Sequence, residues 1–211
     1  PKSRSPERRA SAALQPLAVL PLFHDLKGRP AIVLGATDAA QWKADLLAAA
    51  GADVTRITQD RDWRADDLAG RAIAVADAAD EDQAARLAAA ARKAGVPVNI
   101  VDRPAHCDFS FGSIVNRSPV VIGISTAGAS PVLGQAIRRR IETLLPPGIA
   151  RWAEAARNLR HRIQTLMPEA GRRRVYWRKQ AERAFAQPDH AAAKAQWRLV
   201  ADQMRGKLPQ L

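Results

Sequence analysis

The stretch that decides the fold is residues 31–57, AIVLGATDAAQWKADLLAAAGADVTRI. A short apolar run, 31–34, ends at Gly35. Residues 38–50 then place Trp42, Leu46 and Leu47 at helical spacing, and Gly51 stands where a helix would end. Residues 53–57 have the composition of a second strand. A strand, a helix and a strand within 27 residues predict a βαβ unit and a parallel sheet.

The same alternation continues to Val101. Residues 72–75 predict a third strand, Asp82 to Ala94 an alanine-rich helix closed by Gly95, and residues 97–101 a fourth strand. The segment between Thr58 and Gly70 is short and polar, so it predicts no additional strand. We therefore expect an α/β protein with half of a doubly wound, Rossmann-like parallel sheet.

A different pattern follows Val101. Two apolar runs, 109–115 and 120–125, predict a hairpin or a crossing pair of strands. Ser130 as a helix cap and Pro131 as the first helical residue predict a helix that ends at Pro146-Pro147-Gly148. Its predicted buried stripe consists of Val132, Leu133, Ile137, Ile141, Leu144 and Leu145. From Ile149 to Met204 we expect three helices, broken near 168–171 and near 188–189, which form a C-terminal helical domain.

Composition excludes several classes of protein. With 47% apolar and 26% charged residues, 211 residues can fill a core, which argues against wholesale disorder. The net charge of +12 is uneven: residues 1–30 carry +4, 31–130 carry −3 and 131–211 carry +11. The single cysteine, Cys107, permits no internal disulfide and suits a reducing cytoplasm. No run of 18 apolar residues exists, so we expect no membrane span.

The turn after the first strand is the first candidate site. A strand that ends in glycine and opens a helix can bind a dinucleotide, because the first helix amides face the pyrophosphate. The turn reads Gly35-Ala36-Thr37-Asp38-Ala39, with only the first glycine of G-x-G-x-x-G, and a plain strand-to-helix turn remains the alternative. Asp38 suits a helix cap better than a phosphate neighbour. Asp60, after the second strand, is either a ribose ligand or a solvated acid.

Asp102 is the ionisable residue that we single out. It follows the fourth strand at the carboxyl edge of the sheet, where open α/β folds bind ligands, and the apolar run before it predicts some burial. A carboxylate there could take up a proton. The alternative is an aspartate that begins a turn before Arg103-Pro104. His106-Cys107 have no second Cys or His at ligand spacing, so we predict no structural metal site.

Residues 125–131, STAGASP, lead from a strand into a helix. Hydroxyls and free amides would converge there on an anion such as a carboxylate, or they would only cap the helix. A nucleophilic serine is disfavoured, because no G-x-S-x-G elbow is present.

The basic runs of the C-terminal part have three interpretations. They are Arg138-Arg139-Arg140, Arg172-Arg173-Arg174 and Arg178-Lys179. Solvated helix faces are the commonest interpretation of such runs, and the others are a polycarboxylate site and nucleic acid. Nucleic acid ranks last, because the chain has no recognition helix or aromatic sheet motif. The competing hypothesis to an enzyme is thus a non-catalytic module whose basic helices bind a polyanion, either nucleic acid or a tetrapyrrole, and whose degenerate cofactor turn is only structural.

Taken together, the segments resemble the siroheme synthase dehydrogenase and ferrochelatase module, the precorrin-2 dehydrogenase family. The resemblance spans roughly residues 17–185 and is most specific between 113 and 133. Its motifs are LPLFHDLKGR at 20–29, the turn at 35–43, LLAAAGA at 46–52, VNIVD at 98–102, SIVNRSP at 113–119, ISTAGASPVL at 124–133 and the arginine-rich segment 172–177.

The resemblance implies a function and an organisation. It implies a cytoplasmic homodimer that oxidises precorrin-2 to sirohydrochlorin with NAD and then inserts ferrous iron to give siroheme. A uroporphyrinogen methyltransferase, fused or separate, would supply precorrin-2. The implied domains are a basic tail at 1–16, an NAD-binding Rossmann-like domain at 17–112, a dimerisation region at 113–147 and a helical domain at 148–211.

The resemblance also implies site residues. Asp102 matches an aspartate that is implicated in both reaction steps of the family. The implied cofactor contacts are Gly35, Ala36, Thr37, Asp38, Ala39, Thr58, Gln59 and Asp60. The implied substrate contacts are Asn116, Ser125, Thr126, Gly128 and Ser130, with Thr126 at a place where relatives often carry serine. The sequence departs from the family at Ala36 and Thr37, which replace two glycines and add bulk beside the phosphate.

Overall fold

The computed structural model describes residues 15–58 and 63–186, so the predictions for Gln59, Asp60 and the last helix lie outside the described residues. The chain divides into two compact units. The first is Leu22–Phe111. The second runs from Gly112 onward and includes the segment that ends at Pro21.

The first unit is a four-stranded parallel sheet with helices. Its strands are β1 (Pro30–Leu34), β2 (Asp53–Ile57), β3 (Ile73–Ala76) and β4 (Val98–Ile100), in the order β2-β1-β3-β4. Its helices are α1 (Asp38–Ala49), α2 (Ala65–Leu68) and α3 (Glu81–Lys93), and a short 3₁₀ turn covers Pro104–His106. The prediction of an α/β fold with a Rossmann-like parallel sheet is confirmed.

The register of the sheet brings the carboxyl ends of the strands to one edge. Leu34 lies opposite Ile57 on one side and opposite Ala76 on the other. Ala76 in turn lies opposite Ile100. The residues that follow these four strand ends therefore share one edge of the sheet.

Helices cover both faces of the sheet, and alanine lets them pack closely. The face with Ile32, Leu34 and Val98 packs on Ala84, Leu87, Ala88 and Ala91 of α3. The opposite face, with Val33 and Val75, packs on Ala40, Ala44 and Leu47 of α1. Trp42, which helped to indicate this helix, lies outside the buried stripe and is 53% exposed.

The second unit combines a hairpin with helices. It contains β5 (Ser113–Arg117), β6 (Val120–Ile124), α4 (Pro131–Leu144), α5 (Ile149–Leu166) and α6 (Ala170–Ala186). The two strands pair antiparallel, with Ser113 opposite Ile124 and Arg117 opposite Val120, so the hairpin is confirmed. Ile149, Trp152 and Ala184 pack together against Val120. In the described part of the chain, no helix combines the length and the apolar character needed to cross a membrane.

The predicted buried stripe of α4 is wrong in part. Val132, Leu133 and Leu144 are 75%, 48% and 72% exposed, and Gly134 is the buried residue of this helix. The reason is that α4 packs on a sheet of only two strands. Such a sheet covers a narrower part of the helix surface than the apolar stripe occupies. Val132, Leu133 and Leu144 therefore remain exposed, and we call them the uncovered apolar row of α4.

Candidate functional site

The strand order creates a topological switch point at the carboxyl edge of the first unit. The chain leaves β1 for β2 on one side and returns by α2 to β3 on the other side, so the order reverses between β1 and β3. Ligands of open α/β sheets bind at such switch points. Gly35 and Asp77 are the first residues after these two strands, and the Asp77 N–H donates to the Leu34 carbonyl at 2.8 Å.

Gly35 allows the two strand ends to approach closely. Its φ is +127°, and a Cβ added there would lie 2.7 Å from the Asp77 Cβ. Both the conformation and the space therefore require glycine. The predicted cofactor residues that follow, Ala36 to Ala39, are exposed at the beginning of α1.

Thr37, rather than Asp38, caps α1. The Thr37 hydroxyl accepts a hydrogen bond from the Ala40 N–H at 3.2 Å, and Asp38 is the first helical residue. The expectation that Asp38 is the cap is therefore corrected by one position. Asp38 still places its charge at the positive end of the helix, where it is favourable.

Arg56 adds a positive charge to the same turn. It lies next to the last residue of β2, and its Nε donates to the Gly35 carbonyl at 3.3 Å. Its guanidinium also bonds the Gln41 side chain of α1. Thr58 follows two residues later and is half-buried; of the three cofactor contacts implied after β2, it is the one that the structure describes. The end of β2 is thus tied to the glycine turn.

Asp102 lies in a constrained turn just after β4. Its φ is +57°, the left-handed region that residues other than glycine seldom adopt. Cys107 fixes the turn, because its Sγ accepts from the Ile100 N–H at 3.2 Å and lies 3.3 Å from the Arg103 carbonyl. The Asp102 side chain is exposed, so the predicted burial is wrong. The strand ends at Ile100, and the turn carries the carboxylate out of the core.

Glu81, the first residue of α3, holds the far side of this turn. Its carboxylate accepts from Arg103 at 2.8 Å and from the ring of His106. These hydrogen bonds, that of His106 first, hold the pKa of the Glu81 carboxyl below its ordinary value. His106 is thereby engaged in a side-chain pair. Within 15–58 and 63–186, no three or more His, Cys, Asp or Glu side chains form a group that could hold a metal ion.

Lys43 of α1 lies in the same neighbourhood. Its Nζ is 3.7 Å from the centroid of the Phe111 ring and 4.8 Å from that of Trp42. Burial lowers the pKa of the Lys43 ammonium, while the charge of Asp102 acts in the opposite direction. Lys43 and the predicted catalytic aspartate therefore lie close enough for their charges to interact.

The second unit contains the loop 125–131, for which the sequence predicts anion binding or helix capping. The Ser130 hydroxyl caps α4 by accepting from the Leu133 N–H at 3.2 Å, and the Ser125 hydroxyl accepts from the Ala127 N–H at 3.1 Å. Ala127 and Gly128 both have positive φ, which curls the loop. Capping is therefore part of the role of these residues. Because both serine oxygens accept, their O–H groups remain donors for an anion.

Asn116 lies apart from that loop. Its Oδ1 accepts from the Ser118 N–H at 2.9 Å, at the closed end of the hairpin. It pairs with Val121, four residues before Ser125, which corresponds to about 13 Å along the strand. Thr126, by contrast, lies close to the open end, where its methyl group and Ser113 Oγ face Gly134. The structure thus groups Ser125, Thr126, Gly128 and Ser130 without Asn116.

Comparison with known proteins now supplies a family. A family model described as "Putative NAD(P)-binding" matches residues 22–113, and one described as "Sirohaem biosynthesis protein central" matches residues 117–144. Siroheme synthases are 38% identical in Ectopseudomonas mendocina (strain ymp) and 39% identical in Pseudomonas aeruginosa (strain UCBPP-PA14), each over 75% of this chain. The predicted resemblance to the siroheme synthase family is confirmed.

The match covers part of those longer proteins. The chain spans 38% of the length of both siroheme synthases, and 45% of the one from Stutzerimonas stutzeri (strain A1501), to which it is 35% identical over 90% of its own length. A solved structure, that of "SirC, precorrin-2 dehydrogenase", covers 89% of this chain and is covered completely, with a TM-score of 0.58 and 17% identity. That likeness shows a shared fold.

Sequence reasoning missed three residues of this candidate site. They are Lys43, Arg56 and Glu81, and each acts on a segment distant in the chain. The available signal was local: an interior lysine between Trp42 and the alanines of α1, and an arginine near the end of a strand. Those signals indicate a charged side chain near the edge of the sheet, but they do not indicate which residue it contacts.

Gly35→Ala should destabilise the first unit more than a substitution at an ordinary left-handed glycine. We expect a loss of at least about 2 kcal/mol in the free energy of unfolding, from backbone strain together with the contact to Asp77. Gly95→Ala is the matched control, because its φ is +72° and nothing lies near its added Cβ. It should cost about 1–2 kcal/mol. Urea unfolding compares them, and equal losses would contradict the close approach.

Glu81→Gln should weaken the fold at neutral pH but not at low pH. Since the pKa of Glu81 in the folded chain lies below its ordinary value of 4.5, its ionic contribution is present above that value and is lost as the pH falls through the lowered pKa. Thermal unfolding from pH 7 to pH 3 measures the difference from wild type. Asp82→Asn, an exposed neighbour in the same helical turn, is the control. A stability difference between Glu81→Gln and wild type that does not change with pH would refute the ionic contribution of Glu81.

Proposed function

We propose that this chain oxidises precorrin-2 to sirohydrochlorin with NAD and inserts ferrous iron into the product to give siroheme. Its similarity to siroheme synthases and the fold that it shares with a precorrin-2 dehydrogenase support the proposal. One observation carries it. The glycine turn at the switch point and the constrained Asp102 lie on the same edge of one parallel sheet.

The turn fits a dinucleotide. The exposed amides of Ala36 to Ala39 at the beginning of α1 would bind the pyrophosphate, with Gly35 allowing the close approach of strand and loop. Thr58 would contact the ribose, and we propose the same role for Gln59 and Asp60. Arg56 offsets the negative charges of Asp38 and Asp77 around that turn. When bound, NAD supplies the acceptor for hydride from the tetrapyrrole.

Asp102 is the proposed base of the oxidation. Removal of a hydride from precorrin-2 leaves one proton to be lost, and an exposed carboxylate held in a fixed turn can accept it. The hydrogen bonds of Cys107 and of Glu81 hold the two sides of that turn. They would keep the carboxylate oriented during turnover.

The same carboxylate serves the proposed chelation step. Ferrous iron, here a substrate, replaces two protons on the ring nitrogens of sirohydrochlorin. Asp102 is the proposed first acceptor of those protons. No change of oxidation state is needed in this step.

The loop of the second unit is the proposed contact for substrate carboxylates. Ser125 and Ser130 retain O–H donors, Thr126 lies between them in the loop, and Gly128 leaves space beside them. Asn116, at the other end of the hairpin, would contact a separate part of the substrate. Arginine-rich α6, with Arg172 to Arg174 in its first turns, adds positive charge that suits a polycarboxylate.

We propose that the protein is a cytoplasmic homodimer. The uncovered apolar row of α4 and the exposed Val121 of β6 support an interface between two copies of the chain. Monomeric proteins seldom expose several large apolar side chains together. A uroporphyrinogen methyltransferase, fused or separate, would supply the precorrin-2.

Asp102→Asn should remove the dehydrogenase activity while it leaves NAD binding intact. We expect a loss of about 10²- to 10⁴-fold in kcat, because the amide cannot accept the proton. NADH absorbance in the presence of precorrin-2 gives the rate, and tryptophan fluorescence gives the affinity for NAD. Asp53→Asn, at the opposite edge of the sheet, is the control. A variant with the wild-type rate would refute the role of Asp102, and a wild type that forms no NADH would refute the dehydrogenase.

Leu133→Asp should convert the dimer to monomers, because it places a charge in the uncovered apolar row of α4. Sedimentation velocity measures the change. Leu22→Asp, which alters an exposed leucine of the first unit, should leave the dimer intact. A monomeric wild type at micromolar concentration would overturn the proposed assembly.

A further inference from the structure

Lys43 is held in place by aromatic rings at the Asp102 site. Phe111, beneath its ammonium, packs edge-to-face on Phe109 with a centroid distance of 5.3 Å. Both rings also pack against the buried cluster between the sheet and α1. The ring of Trp42 is a second aromatic group near the ammonium. The position of the charge is therefore fixed by packed rings, although a lysine stem is flexible in water.

The Lys43 ammonium lacks a carboxylate partner in the protein. Across residues 15–58 and 63–186, no Asp or Glu oxygen lies within ion-pair distance of its Nζ. Burial has removed part of its water and lowers its pKa, while Asp102 acts on it through space. Aromatic faces attract a cation but accept its N–H groups only weakly. The ammonium thus retains donors for an incoming anion.

A partly desolvated ammonium is a better carboxylate ligand than a surface lysine. The attraction between opposite charges rises as the local dielectric falls, and a charge-assisted hydrogen bond adds to it. Because the rings already restrain the stem, less side-chain entropy is lost on binding. Asp102, which is negative, repels the same carboxylate. The pair therefore orients a ligand: its acid group binds at Lys43 and its uncharged carbon skeleton faces Asp102.

We infer that Lys43 is a substrate-binding residue whose ammonium binds a carboxylate of the tetrapyrrole and thereby places the ring beside Asp102. The inference deepens the proposed function and rests on it for the identity of the substrate. It assigns separate roles to Lys43 and Asp102. Lys43 binds and Asp102 accepts protons.

Lys43→Met tests the inference, because methionine keeps an apolar stem on the rings and removes the charge. We expect KM for precorrin-2 to rise at least tenfold, with a smaller change in kcat and an unchanged KM for NAD. Lys43→Arg, which restores the cation, should recover part of the loss. Lys27→Met, an exposed lysine at the opposite edge of the sheet, is the matched control and should behave as wild type.

A binding measurement separates this inference from the proposed activity. Sirohydrochlorin is titrated into wild type, Lys43→Met and Lys43→Gln, with tryptophan fluorescence as the readout and thermal unfolding as the check on folding. Weaker binding by at least tenfold in a folded variant supports the inference even if wild type forms no NADH. Unchanged binding overturns it. A lower kcat with an unchanged KM also overturns it, since Lys43 would then act through Asp102 and not on the substrate.

Discussion

The close approach of Gly35 to Asp77 is the constraint on which the rest of the site depends. In a parallel sheet whose order reverses beside β1, the ends of β1 and β3 must lie side by side, and only a residue without a Cβ fits there. This contact fixes the beginning of α1, which exposes the amides of Ala36 to Ala39. The common register also places the carboxyl end of β4, and therefore Asp102, at this edge of the sheet. The proposed cofactor turn and the carboxylate are therefore aligned by backbone geometry alone.

Charge organises that edge after the backbone has placed it. Arg56 ties the end of β2 to the glycine turn, and Glu81 ties α3 to the segment after Asp102. Lys43, restrained by aromatic rings, supplies a positive charge that interacts electrostatically with Asp102. Each of these side chains joins segments that are far apart in sequence. The result is an edge in which acidic and basic groups have fixed and different positions.

The sequence predicted the sheet well because its signals are local. A short apolar run, a glycine and a helical repeat suffice to place β1, Gly35 and α1, and the edge position of Asp102 follows from the end of β4. The exposure of Val132 and of Asp102 was not predictable in that way. Apolarity along a helix does not reveal how wide its partner is, and a run before an aspartate does not reveal the turn that carries it outward. The contact of Lys43 with Phe111 spans 68 residues, for which one sequence gives no signal.

The central claim is that the reversal between β1 and β3 binds a nicotinamide dinucleotide within reach of Asp102. A crystal structure of the chain grown with saturating NAD tests it most directly. The account predicts the pyrophosphate at the amides of Ala36 to Ala39 and the nicotinamide over the ends of β1 and β3, on the side of Asp102. Electron density for NAD elsewhere, or an empty turn at saturation, would contradict it.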